Sequence, residues 1–322
     1  MEVQCVALAE ALGLTPVVKR VRVRRPWRWL PPPLVPGVLS RLEAAADPLG
    51  PPWPDVLIAT GRQAAAPALA VRKASRRATF TIQIQTQPLV DPARFDVVIV
   101  PAHDRLRGPN VIVTLGSLNR VTPQRLATAA ARFAARLDRL PRPRVAVMLG
   151  GNSKAYRMTG ATMERLGAQL AALARREGAG LLVTPSRRTD PDALAIVRRA
   201  LDGLPVEIWD GRGDNPYLAY LGIADFLVVT ADSVNMLCEA ATTGKPVFVA
   251  PLEGGSPKFA RFHAALRARG ITRPFEGRLE TWTYAPLRDT EEAAAEVRPR
   301  LIAHVGRDWG EGASTAPTHT GA

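Results

Sequence analysis

The sequence predicts an α/β protein made of two β/α domains that face a central cleft. Three observations carry that expectation. From Asp55 onward, short apolar runs alternate with longer stretches of helical periodicity, the rhythm of doubly buried parallel strands and the helices covering them. Polar or glycine-containing turns follow the ends of those runs, where α/β sheets hold ligands. Pro141-Arg142-Pro143 breaks the rhythm once, and a second series begins directly after it.

Taken in order, residues 1–13 read as a helix stopped by Gly13, and 17–23 as a strand. A doubly wound domain starts with a strand and a glycine-containing loop, so the chain is expected to begin inside its first unit. Either the translation start is set too late or something replaces that strand. Residues 24–54 are rich in proline and tryptophan and are expected to be irregular, with one short helix near 36–45. Trp27 and Trp29 alternate with arginines, and partial burial is favoured over a membrane-interface role. The first series has strands over 56–59, 79–85, 96–100 and 111–114, with a helix over 63–75. Thr122 caps and Pro123 opens a helix running to about residue 140. The second series has strands over 145–149, 181–184, 206–209, 226–229 and 247–250. Its helices cover 159–177, 193–201, 217–221, 234–243, 259–269 and 290–303. The expected domains are residues 1–140 and 141–305. The Gly/Ser/Thr-rich stretch 306–322 is expected to be a disordered tail.

A length of 322 residues is comfortable for two cores, and 47% hydrophobic content is ordinary for a globular chain. No apolar run approaches the ~20 residues that span a bilayer. The start has neither the basic flank nor the long apolar centre of a secretory signal. Cys5 and Cys238 are far apart and give no disulfide framework. A cytoplasmic setting follows, with peripheral contact at the inner face of the membrane as an extension. The net charge is +14 and uneven: residues 1–140 hold 20 Lys+Arg against 9 Asp+Glu, and residues 141–322 hold 23 against 20. Such a basic N-terminal half suits an anionic membrane surface or a phosphorylated or lipid acceptor. The competing explanation is compositional, since arginine outnumbers lysine and alanine and proline abound, as in a GC-rich bacterial genome. With aromatics at 6% and no recognition motif, nucleic acid is excluded as a partner.

The most informative stretch is 223–251. A buried strand leads through Thr230-Ala231-Asp232-Ser233 into a helix that Gly244 ends, and Lys245-Pro246 turns into the next strand. Val234, Leu237, Cys238 and Ala241 recur at helical spacing and form the buried face, leaving Asn235 and Glu239 on another. Read as local structure, Asp232 or Ser233 is only a cap and Glu239 a solvated helix residue. Read as a site, the helix N-terminus faces an anion. A Ser-containing loop, a helix with Glu five residues before Gly, then x-Pro and an apolar strand resembles the nucleotide-sugar site of GT-B glycosyltransferases. That resemblance implies that Glu239 binds ribose hydroxyls and that Asp232, Ser233 and Asn235 shape the diphosphate site.

Other polar groups admit two readings each. Gly150-Gly151-Asn152-Ser153, between strand and helix, is a phosphate loop or an ordinary turn. Ser186-Arg187-Arg188 either pairs with a diphosphate or starts a solvated helix. Asp214-Asn215 either bonds a base or ribose or caps the following helix. Lys258 enters a helix from a glycine-rich loop and is placed to neutralise a phosphate. His103 beside Asp104 is a general base for an acceptor hydroxyl, or a surface turn in which the carboxylate orients the imidazole. Gly61, Arg62 and Asn119 follow strands of the first domain and would bind an acceptor. Four His and two Cys show no ligand spacing, so neither metal nor cofactor is expected beyond a co-substrate.

Several phrases add up: Ala59-Thr60-Gly61-Arg62, Pro101-Ala102-His103-Asp104, Gly116-Ser117-Leu118-Asn119, Leu149-Gly150-Gly151-Asn152-Ser153, and Thr230-Ala231-Asp232-Ser233 with Gly244-Lys245-Pro246. Together they resemble the family named for the plant mitochondrial-fission protein "elongated mitochondria", including its bacterial members, over about residues 2–300. The resemblance implies two Rossmann-like domains in a GT-B-like arrangement, acceptor side first and nucleotide-sugar side second. The family's N-terminal strand and glycine-containing loop, which would line the acceptor side, are absent from the sequence. The leading expectation is a metal-independent glycosyltransferase using a nucleotide-diphosphate sugar, with His103 as base. The alternatives are a non-catalytic scaffold at a membrane surface, which the family's fission role favours, and a sugar-nucleotide epimerase.

Overall fold

Side-chain alternation along short apolar strands organises the first half of the protein, as seen in a computed structural model that describes residues 1–85 and 90–306. Beyond Gly306, the expected tail lies outside the described residues. The elements are α1 (Glu2–Ala11), β1 (Val56–Thr60), α2 (Arg62–Ala74), β2 (Phe80–Ile84), β3 (Val97–Pro101) and β4 (Val111–Thr114). The strands pair in parallel in the order β1-β2-β3-β4. Phe80, Ile82, Ile84, Val97, Ile99 and Ile112 point to one face, where Ala7 and Leu8 of α1 meet them. Ala59, Val98 and Val100 point to the other, against Ala65 and Ala68 of α2. This is the period-two pattern of a sheet covered on both sides.

Between α1 and β1 the strand expected over 17–23 does not form. One antiparallel bridge, Val23 to Leu42, is the pairing there. Val17 is 82% exposed, so its side chain has no core face to reward a register. The helix expected near 36–45 is instead a 3-10 turn over Val38–Arg41, and further 3-10 turns cover Trp27–Trp29 and Pro32–Leu34. Dense proline removes the donors an α-helix needs. Trp27 packs with Val23, Val38 and Ala66, as partial burial requires, whereas Trp29 is 65% exposed.

The second series comprises α3 (Pro123–Leu137), β5 (Arg144–Leu149), β6 (Tyr156–Arg157), α4 (Gly160–Glu177), β7 (Gly180–Pro185), α5 (Pro191–Ala200), β8 (Val206–Ile208), α6 (Tyr217–Ile223), β9 (Phe226–Thr230), α7 (Val234–Thr242), β10 (Val247–Ala250), β11 (Glu253–Gly254), α8 (Pro257–Ala268) and β12 (Thr272–Pro274). As expected, Thr122 caps α3, its Oγ1 accepting from the Arg125 N–H at 3.2 Å. Six strands form a parallel sheet in the order β12-β10-β9-β5-β7-β8. β6 and β11 pair antiparallel beside it. Those two strands and β12 are too short to show periodicity, which is why the sequence did not announce them. The core packs Val145, Val147 and Leu149 of β5 and Leu181 and Val183 of β7 against Met163, Leu166 and Leu170 of α4. The chain leaves β5 toward β7 and β8, then returns to lay β9, β10 and β12 on its other side. The switch in direction therefore falls between β5 and β9, where a doubly wound sheet opens a crevice at its carboxyl edge.

A last helix, α9 (Asp289–Val305), carries Ala293, Ala294, Val297 and Leu301 onto the first sheet. Backbone contacts accordingly divide the chain into residues 1–120 with the segment from 289, and residues 121–288. This differs at both ends from the expected division at 141 and 305. α3 packs on α6 so closely that a Cβ at Gly222 would lie 2.9 Å from the Leu126 carbonyl oxygen. Among the described residues, no helix is long and apolar enough to cross a membrane.

Candidate functional site

At the β5/β9 switch point, three loops that follow β5, β7 and β9 are bonded to one another. The Gly150 N–H donates to Thr230 Oγ1 at 2.8 Å, and the Gly151 N–H to Asp232 Oδ2 at 2.9 Å. The Thr230 hydroxyl donates to Asp232 Oδ1 at 2.7 Å, and Arg188 Nη2 to Asp232 Oδ2 at 2.9 Å. Ser186 Oγ donates to the Gly150 carbonyl at 2.8 Å, closing the third side. No room remains for side chains: a Cβ at Gly150 would overlap the Asp232 carboxylate, and one at Gly151 the Arg188 carbonyl. The Asp232 side chain is fully buried while Arg188 is 47% exposed. A buried carboxylate is tolerable only when bonded and compensated, and here two neutral donors and one guanidinium do so.

The polar residues beyond the glycines turn back on their own loop. Asn152 Oδ1 accepts from the Met158 N–H at 2.8 Å, and Ser153 Oγ accepts from the Tyr156 N–H at 3.0 Å. Tyr156 stands edge-on against Phe259 of α8, ring centroids 4.9 Å apart. Glu253 Oε1 accepts from Thr159 and Thr162 at 2.5 and 3.2 Å, so the β11 turn is anchored to the start of α4. Lys154, Arg187, Arg188 and Lys258 are exposed around this edge. With the Asp232 carboxylate buried, these exposed cations dominate the charge of the loop ends around it.

Along α7, Ser233 is the cap, its Oγ accepting from the Met236 N–H at 3.4 Å, and Asn235 is exposed. Glu239 is half-buried, and the Tyr217 hydroxyl donates to its Oε2 at 2.5 Å. Burial raises the Glu239 carboxyl above its usual range, with the Tyr217 bond opposing. The Tyr217 phenol is pushed well above its ordinary value by burial and by the neighbouring carboxylate. Lys245 Nζ donates to the Leu221 and Gly222 carbonyls at 2.7 and 2.6 Å and fastens the end of α6 to the turn after α7. Burial lowers that ammonium to about 8. The 214–215 pair separates: Asn215 Oδ1 accepts from the Tyr217 N–H at 2.9 Å, and Asp214 pairs with Arg132 of α3 at 2.5 Å.

In the first unit the expected residues follow three different strands. His103 is 6% exposed in the 3-10 turn Ala102–Asp104 after β3, beside the half-buried Asp104. Asn119, beyond β4, is buried and latched through its backbone to Thr290: its N–H donates to Thr290 Oγ1, and its carbonyl accepts from that hydroxyl, both at 3.0 Å. Asp289 accepts from the Leu115 and Gly116 N–H groups at 2.9 and 2.7 Å. Gly61 after β1 has φ +78 and leads into α2, and Arg62 Nη2 donates to the Trp29 and Leu30 carbonyls at 3.0 and 3.1 Å.

Thus Gly150, Gly151, Ser186 and Asp232 meet directly, while Ser233, Asn235 and Glu239 share one helix. Arg187 lies in the loop after β7 and Lys258 in the first turn of α8. Sequence reasoning missed Thr230 and Tyr217, the pairing of Arg188 with Asp232, and the Asp289-Thr290 latch. Tyr217 had one available signal, an aromatic at a helix start directly after Asn215-Pro216. Among the described residues, no group of three or more His, Cys, Asp or Glu could hold a metal ion.

The family profile described as mitochondrial fission ELM1 matches residues 1–301. An Arabidopsis thaliana protein, mitochondrial fission protein ELM1, is 33% identical over 283 residues, covering 80% of this chain. The chain spans 65% of that relative's length. An uncharacterized protein of Rickettsia prowazekii is 25% identical over 285 residues, 76% of this chain and 79% of that one. Among solved structures, a Listeria monocytogenes protein provisionally identified as a UDP-N-acetylglucosamine 2-epimerase superposes with a TM-score of 0.51 at 14% identity. The match covers 78% of this chain and 74% of that one. At that identity the likeness concerns fold alone, that of parallel α/β sheets.

Proposed function

The chain belongs to the mitochondrial fission ELM1 family, and we propose that it binds a nucleotide-diphosphate sugar at the carboxyl edge of its second sheet and transfers the sugar. The observation that carries this reading is the clasp of Gly150, Gly151, Thr230, Asp232 and Arg188 at the switch point. It fixes the loop after β5 beside the start of α7, and because the Gly150 and Gly151 N–H groups are used inside the clasp, it leaves the exposed cations and the helix end to receive phosphates. In the proposal, exposed Arg187, Arg188 and Lys258 neutralise the diphosphate, and Glu239, oriented by Tyr217, accepts from ribose hydroxyls. Asp232 acts by holding the loops. An acceptor hydroxyl attacks the anomeric carbon and gives up its proton to solvent, and the bond to the diphosphate breaks with its electron pair leaving on the nucleotide. The cations stabilise the leaving group without a metal.

The test is incubation of the protein with UDP-, GDP-, CDP- and ADP-sugars, followed by product analysis. Release of nucleoside diphosphate that depends on an added acceptor supports transfer. A changed sugar on an intact nucleotide indicates epimerisation, the reading that the fold likeness also admits. Turnover of none of them, with no binding, leaves a non-catalytic scaffold at a cytoplasmic membrane surface. That second reading draws on the name of the Arabidopsis relative and on Val17, Val18, Trp29, Leu30 and Leu34, apolar side chains exposed in the basic N-terminal stretch.

A further inference from the structure

The first unit holds a cavity of about 300 Å³ lined by Arg22, Arg28, Trp29, Arg62 and Gln63. Three guanidinium groups around one space repel one another, and the neighbouring carboxylate answers them incompletely. Glu43 lies 3.6 Å from Arg22 and 4.0 Å from Arg28, both long for an ion pair. Arg62 is held by carbonyls, through Nη2, rather than by an acid. The three lining arginines therefore face a single neighbouring carboxylate, Glu43.

The walls are fixed before any ligand arrives. The Val23 N–H donates to Gln63 Oε1 at 3.1 Å, and Arg62 ties the Trp29 and Leu30 carbonyls to the start of α2. Trp27 seats the segment on Ala66, and the Arg41 guanidinium covers that indole at 4.7 Å. The first turn of α2 contains no acidic residue, and Gly61 supplies no side-chain cap. The helix end thus adds to the positive potential instead of being neutralised.

We propose that this cavity binds a phosphate group, the phosphomonoester or diphosphate end of a ligand whose organic part lies over Trp29. Arginine forks match phosphate oxygens two at a time, and a doubly charged group would balance the excess. The exposed Trp29 indole, with the Arg25 guanidinium 5.8 Å from its ring, and the neighbouring Leu30 form the rim. The cavity belongs to the first unit and stands without the nucleotide-sugar edge proposed for the second. Its phosphate has two sources, a free phosphorylated metabolite or the headgroup of an anionic lipid.

The test is calorimetric titration of the full chain with inorganic pyrophosphate and with dihexanoyl phosphatidic acid below its micelle concentration. Hydrogen exchange at residues 22–30 and 61–65 locates the bound species. Saturable binding with slowed exchange there is expected. Arg22→Gln and Arg28→Gln should each weaken it at least about tenfold, since each removes a charge-assisted contact. Arg198→Gln, an exposed arginine of α5, should leave it unchanged. Unaltered melting temperatures in the variants confirm that folding is intact. Preference for pyrophosphate assigns a free phosphate, and binding of phosphatidic acid alone assigns a lipid headgroup. Failure of both ligands to protect these residues overturns the proposal, as does an affinity indifferent to Arg22 and Arg28.

Discussion

Arg188 Nη2 sits 2.9 Å from Asp232 Oδ2, joining a half-exposed guanidinium to a carboxylate with no solvent contact. The two members of this pair are not equivalent. Removing the arginine leaves a buried charge with only neutral donors, whereas removing the carboxylate's charge leaves an arginine that can turn to water. Arg188→Ala is expected to cost about 3 kcal/mol and Asp232→Asn about 1–2 kcal/mol. Urea unfolding of the two variants measures the difference, and equal costs would mean that the pair does not organise the edge.

Gly151 should be as demanding as the clasp itself. A Cβ there meets the Arg188 backbone, which cannot move without breaking the loop contacts. Gly151→Ala is expected to lose about 2–4 kcal/mol. Gly178 has φ +62, and a Cβ added there would meet nothing within 4 Å, so Gly178→Ala carries only conformational strain, about 1 kcal/mol. Thermal denaturation of both variants gives the ranking.

Glu239 makes a prediction about pH. Burial raises its folded-state pKa above the unfolded value of about 4.3. The folded protein therefore holds this proton more tightly, and the stability it contributes is present below pH 4.3 and lost as pH rises through the folded pKa. Glu239→Gln keeps an acceptor for Tyr217 without a charge to desolvate. The variant should melt above the wild type at pH 7–8, and the gap should close as pH approaches 4.5. A gap constant with pH would contradict the assignment.

The parts of this molecule that were legible in the sequence share one property: the signal lay within a few consecutive residues. Val145 to Leu149 is a continuous apolar run, so β5 was evident, as was the cap-and-proline start of α3 at Thr122-Pro123. Residues 17–23 offered valines interleaved with Lys19, Arg20 and Arg22 but no core face, and local pattern alone cannot reveal that lack. The apolar face of α9 announced a helix but not which sheet it would cover, which displaced the expected domain boundary. The site shows the same divide. Gly150, Asp232 and Glu239 were identifiable from their places after strands and on helices. Their partners were not: Thr230 lies 80 residues from Gly150, and Arg188 lies 44 from Asp232. Those pairings arise from the strand order, which places β9 beside β5, and no short window of sequence contains it.

What the carboxyl edge of the second sheet receives is tested most directly by a calorimetric comparison of the full-length wild type with Glu239→Gln. With the matching nucleotide-diphosphate sugar, the wild type should bind one equivalent. Glu239→Gln should bind at least about tenfold more weakly through loss of the charged acceptor for the ribose, although its fold is at least as stable. Absence of binding to UDP-, GDP-, CDP- and ADP-sugars alike, or an affinity unchanged by Glu239→Gln, would contradict the account.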